Sequence, residues 1–67
     1  MTLLSALTAI HNKSMGLIIN EYGNERISTT VSKLTFEEVK EYLGSEVESI
    51  QFDSTRNTII INLDGDY

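Results

Sequence analysis

One stretch constrains this chain more than any other: Val47 to Leu63, which reads as a β-hairpin. Glu48, Ile50 and Phe52 share one face of a first strand, and Ile59, Ile61 and Leu63 share one face of a second. Strand side chains alternate between faces, so the period of the apolar residues is two. Ser54-Thr55-Arg56-Asn57 separates the strands with residues suited to a turn. Pairing Asp53 with Thr58 sets Phe52 opposite Ile59 and Ile50 opposite Ile61. A slip of one residue would turn half of these side chains to water, so the register is strongly specified.

The hairpin needs a layer to cover it, and two helices are expected. Leu3, Ala6, Leu7 and Ile10 recur at helical spacing, which predicts a helix over residues 2–13 with Thr2 as its N-cap. Leu34-Thr35-Phe36-Glu37-Glu38 opens a second helix. Thr35 is the N-cap, Glu38 closes a capping box, and Leu34 with Val39 forms a hydrophobic staple. Phe36, Val39 and Leu43 are expected on its buried face, with Gly44 as the residue that ends it.

Between the helices a first hairpin is expected. Met15 to Asn20 and Arg26 to Val31 are its strands, and Tyr22-Gly23-Asn24-Glu25 is its turn. Pairing Glu21 with Arg26 places Ile18, Tyr22, Ile27, Thr29 and Val31 on one face. Leu17 and Ile19 then point the other way and must be covered. The halves match in pattern at an offset of about 33 residues, Thr2 with Thr35 and Leu17 with Ile50. The expected architecture is a single α+β domain over residues 1–67, in the order αββαββ, with an antiparallel four-stranded sheet and two helices on one face. Asp64 to Tyr67 is expected to be a fraying polar tail.

A chain of 67 residues buries only about 60% of its unfolded surface, so its core is small. With no cysteine, neither a disulfide nor a thiolate metal site is available to reinforce it. His11 is the sole histidine, so a His-cluster metal site is excluded. Association with another chain is the remaining source of extra stability. Met1 to Ile10 has no preceding basic residue and reads as part of the fold rather than a leader. No apolar run approaches the ~20 residues of a membrane span. The expected location is cytoplasmic.

Charge is uneven. Residues 1–33 hold two acids and three bases, a net +1, and residues 34–67 hold eight acids and two bases, a net −6. An acidic half repels phosphate backbones, so direct nucleic-acid binding is not expected, and it favours a protein with a basic surface. Glu37, Glu41, Glu46 and Glu48, with Tyr42 among them, are the candidate partner-binding residues. Leu17, Ile19 and Ile60 point away from the expected covered face and are candidates for an oligomer interface, most simply a homodimer.

Chemistry has little to build on. No nucleophile elbow accompanies His11, and the Glu37 and Glu41 pair lies on an open helix face rather than in a cleft. Asp64-Gly65-Asp66 supplies too few ligands for a calcium loop. No glycine-rich phosphate cradle is present. The expectation is a non-enzymatic protein that needs no cofactor and no metal.

Tyr22-Gly23-Asn24 for a turn, Leu34-Thr35-Phe36-Glu37-Glu38 for a helix start, Tyr42-Leu43-Gly44 for its end and Glu48-Ser49-Ile50 leading a strand together resemble the short class of acidic uracil-DNA glycosylase inhibitors from phages of Bacillus. The resemblance covers residues 16–53. It implies a non-enzymatic dimer that mimics DNA and occupies the DNA-binding groove of its target, with Tyr42 as a contact residue. This chain departs from that class at Ser28, Thr29 and Thr30, where an acid is expected, and in its opening helix and its strand from Ile59 to Leu63.

Overall fold

The computed structural model describes residues 1–64. Helix α1 spans Leu3–Thr8, and strands β1 (Gly16–Glu21) and β2 (Asn24–Thr30) follow. A 3-10 turn over Val31–Lys33 leads to α2 (Phe36–Val39), which tightens into a second 3-10 turn over Lys40–Tyr42. Strands β3 (Val47–Asp53) and β4 (Thr58–Leu63) close the chain. The expected tail beyond Asp64, Gly65 to Tyr67, lies outside the described residues.

The class is α+β, with a four-stranded sheet and two helices. The sheet is mixed rather than wholly antiparallel. Its order is β2-β1-β4-β3, with β1 and β4 paired in parallel at the centre. The two most apolar triplets, Leu17-Ile18-Ile19 and Ile59-Ile60-Ile61, therefore lie side by side as rungs of one ladder. Such continuous apolar runs suit strands flanked on both sides. The apparent repeat is not a symmetry of the fold, because the first strand of one hairpin pairs with the second strand of the other.

The closing hairpin has the register that its sequence predicts. Ile50 pairs with Ile61, Phe52 with Ile59 and Asp53 with Thr58. One detail differs at its start. The pairing shifts between Val47 and Ser49, so Glu48 is an extra residue in β3. Such a bulge re-aims its side chain. Glu48 borders the helix-free face beside Asn20 and Asn62, instead of sharing a face with Ile50 and Phe52.

The first hairpin departs further. Its turn is Tyr22-Gly23 alone, with φ of 58° and 76°. Two successive residues at positive φ make the tight turn that matches strand twist. Glu21 therefore pairs with Asn24, not Arg26. A bulge follows, and Ile19 pairs with Ile27. Relative to the sequence expectation the body of the hairpin is displaced by one residue, which exchanges the faces. Ile27 joins Leu17 and Ile19 toward the helices, and Ile18 turns away.

All helical segments lie on one face. The core beneath them is Leu3, Ala6, Leu17, Ile19, Ile27, Val39, Ile61 and Leu63, and Leu3, Leu17, Ile19 and Ile61 are wholly inaccessible. Thr2 caps α1, its hydroxyl accepting from Ser5 N–H at 3.3 Å. The helix is six residues long, shorter than the expected span. The Thr35–Glu38 capping box forms as predicted, with both reciprocal bonds present. The helix it starts lasts only one turn. Val39 is buried and Leu43 packs on the core, but Phe36 is 66% exposed rather than on the buried face. Gly44 does not enter the left-handed region, so the segment ends without a glycine cap.

Candidate functional site

The strand directions decide where the charges meet. The β1–β2 turn, the start of β3 and the end of β4 all lie at one end of the sheet. That end carries Glu21, Glu25, Glu46, Glu48 and Asp64. Tyr42 and Glu41 come to the same end through the 3-10 turn. Partial burial and the Glu41 carboxylate raise the Tyr42 pKa, and Arg26 and Glu21 also act on it. The two cationic groups here are engaged. Arg26 Nε lies 3.5 Å from Glu21 Oε1, and the Met1 ammonium lies 3.3 Å from Glu46 Oε2.

The opposite end differs. Lys13, Lys33, Asp53 and Arg56 lie there, tied by Ser32 N–H donating to the Lys13 carbonyl and Gly16 N–H to the Asn57 carbonyl. Asp53 accepts from Arg56 Nε at 2.8 Å and from Thr55 N–H at 3.0 Å. These bonds hold its carboxyl below the usual range, the Arg56 side chain being the largest cause.

Among the residues singled out by sequence, Glu41, Tyr42, Glu46 and Glu48 meet at the acidic end. Glu37 does not belong to that group; it lies on α2, paired with Lys40 at 2.9 Å. The surface is also not one flat row. Glu41 and Tyr42 sit on the helix side, while the bulge puts Glu48 on the helix-free side. There Glu48 borders an open hollow of about 450 Å3 with Asn20, Tyr22, Gly23, Asn62 and Asp64. A polar ladder floors it: Asn20 Nδ2 donates to Asn62 Oδ1 and Asn62 Nδ2 to Ser49 Oγ, each at 3.0 Å. Glu21, Glu25 and Asp64 were not singled out by sequence, because their place beside the others depends on strand order.

The apolar candidates are redistributed. Leu17 and Ile19 are fully buried within the chain's own core, so they present no surface to a partner. The one-residue displacement of the first hairpin is the cause. Ile60 does face outward as expected. It is half-buried on the helix-free face, with Ile18 as its neighbour on the parallel rung.

A different apolar surface is open. Ile50 is 50% and Phe52 56% exposed, although both lie on the helix-facing side of the sheet. Strand β3 is at the edge, beyond the cover of α1. A groove of about 340 Å3 runs between them, lined mainly by Met1, Ala9, Ile10, Met15, Ile50 and Phe52. Alternation in the sequence marks these two residues as core-facing, but it carries no sign of an edge.

Among the described residues no group of three or more His, Asp or Glu side chains is placed to hold a metal ion. No helix of the described residues is long and apolar enough to cross a membrane. What the acidic end offers is fixed negative charge with one phenol set among it. Comparison of the chain with family models, with curated proteins and with solved structures finds no match.

Proposed function

We propose that this chain is a non-enzymatic binding module whose acidic end docks on a protein with a basic surface. The observation that carries the reading is the gathering of Glu21, Glu25, Glu41, Glu46, Glu48 and Asp64 at one end of the sheet, with Tyr42 among them. Clustered charge of one sign raises the rate of encounter with the opposite sign. Tyrosine adds rigid amphipathic area of the kind enriched in interface centres. The finer form of the proposal is a phage-type inhibitor that mimics DNA and blocks the basic site of a DNA-handling enzyme. Carboxylates that wrap an end from one sheet face to the other support it by presenting spaced negative charge, as a phosphate backbone does.

The test is inhibition of a purified uracil-DNA glycosylase acting on uracil-containing duplex. The chain is expected to inhibit, less so as salt rises, since exposed charges are screened within ~10 Å at 0.1 M ionic strength. The pair Glu41→Lys and Glu48→Lys is expected to weaken binding, and Glu37→Lys to matter less. Absence of inhibition removes the finer proposal. If a basic partner is captured whose affinity ignores both salt and the paired substitution, the acidic-end reading fails as well.

A further inference from the structure

The acidic end leaves the apolar edge of β3 unexplained. Edge strands in native proteins are normally blunted by lysine, proline, shortness or a bulge. β2 follows that rule, with a bulge, Arg26 and an exposed face of Glu25 and Ser28. β3 does so only at its start, where Glu48 is bulged and Val47 N–H donates to the Met1 carbonyl beside the Thr2–Glu46 bridge. Beyond the bulge, Ser49-Ile50-Gln51-Phe52-Asp53 is an unblunted edge with no lysine and no proline. Its two apolar side chains are the half-exposed wall of the groove beside α1.

We propose that this edge pairs antiparallel with the same edge of a second copy, in a register centred on Gln51. In that register Ile50 of one copy lies opposite Phe52 of the other, twice, and Gln51 lies opposite its symmetry mate. Ser49 faces Asp53, so no like charges meet directly. The two-fold axis stands perpendicular to the sheet, so both sets of helices stay on one side. The two grooves then merge into one apolar layer between the α1 helices, and the sheet continues through eight strands.

Charge complementarity favours a second copy with this polarity. Antiparallel pairing brings the acidic start of one β3, with Glu46 and Glu48, beside the Arg56-bearing loop of the other. That contact also occurs twice. A parallel pairing would instead set the two acidic ends against each other. A specific interface needs about 1,000 Å2 in total, or about 500 Å2 per copy. That is roughly a ninth of the 4310 Å2 surface of this chain. The small core of a 67-residue chain gives such burial particular value. The proposal stands apart from the acidic-end reading and does not require it.

Sedimentation equilibrium of the full chain, from micromolar to submillimolar concentration, tests it. The expected result is a monomer–dimer equilibrium that stops at the dimer. Gln51→Lys places two ammonium groups opposite each other and is expected to weaken dimerisation several-fold. Gln51 is exposed, so the fold of the monomer is expected to survive, as read by circular dichroism. Glu46→Arg alone and Arg56→Glu alone are each expected to weaken self-association about threefold. An equimolar mixture of those two variants is expected to recover it, because the mixed pair restores opposite charges at both contacts. A strict monomer overturns the proposal. So does an assembly that Gln51→Lys leaves intact, a mixture that fails to recover, or a chain that stays monomeric while an added foreign strand peptide takes the edge.

Discussion

Gly16 sits opposite Thr58 on the first rung of the parallel pair, and a methyl group at Gly16 tests whether that pair exists. The new Cβ would lie 2.6 Å from Thr58 Oγ1 and 3.3 Å from its Cβ and Cγ2. Thr58 cannot turn away freely. It is buried, and its hydroxyl donates to the Arg56 carbonyl at 2.9 Å. Overpacking of this kind costs about 1–3 kcal/mol. Replacing a strand glycine returns about 0.5–1 kcal/mol of backbone entropy. The net expectation for Gly16→Ala is a loss of about 1–2 kcal/mol. A chain of this length has roughly 3–10 kcal/mol in all, so urea unfolding resolves such a change. The melting temperature is expected to fall by about 4–8 °C per kcal/mol. Thr58→Ala removes both Oγ1 and Cγ2 and opens the space. In that background Gly16→Ala is expected to cost little, giving a coupling of about 1–2 kcal/mol between the positions. In a sheet without the β1–β4 pair, residues 42 apart have no reason to couple. Effects that add within about 0.5 kcal/mol would refute the parallel pairing.

Two further outcomes follow from the burial and the charges. Ile19→Ala is expected to cost about 2–5 kcal/mol by calorimetry, and Ile60→Ala about 1 kcal/mol, since only Ile19 is fully enclosed; equal losses would mean that the faces are assigned the wrong way round. The Asp53 carboxyl titrates below the usual range because Arg56 and two backbone N–H groups favour its charged form. Its stabilisation of the β3–β4 loop is therefore fully present above the ordinary carboxylate pKa and is lost as pH falls through the lowered value. Carbon-detected NMR titration is expected to show that low value rising toward normal in Arg56→Ala, and an unchanged midpoint would rule out the assigned cause.

The elements differed in how far local residues determined them. The register of the closing hairpin beyond its bulge was legible because Ile50 and Phe52 alternate with polar neighbours in β3 and a short polar loop sets them opposite Ile61 and Ile59. Only one parity of pairing puts all four on one side. The Thr35 capping box was equally plain, because it is written within four consecutive residues. Leu17-Ile18-Ile19 has no such alternation. A four-residue turn and the tight Tyr22-Gly23 turn both satisfy its composition, yet they differ by one residue in the body of the hairpin. That single difference exchanged Leu17 and Ile19 with Ile18. The site followed the same division. The number of carboxylates could be counted, and Tyr42 could be placed beside them. Their convergence could not be read, because Glu21 and Asp64 reach the same end only through the β1–β4 contact. Glu48 changed face through a bulge that no residue type announces.

The parallel centre also sets the order of events when the chain folds. Each of its rungs joins residues 42 apart, as the Asn20–Asn62 bond does. Both hairpins and the Thr35 turn close over short loops and can form early. Closing the centre carries the entropy of a long loop, and contacts of that kind slow folding. During synthesis β1 has to wait for β4, which leaves the ribosome after β1, β2 and β3. Until then Leu17 and Ile19 have β2 on one side only and no partner strand on the other. The interval before β4 arrives is when this chain is most exposed to wrong association.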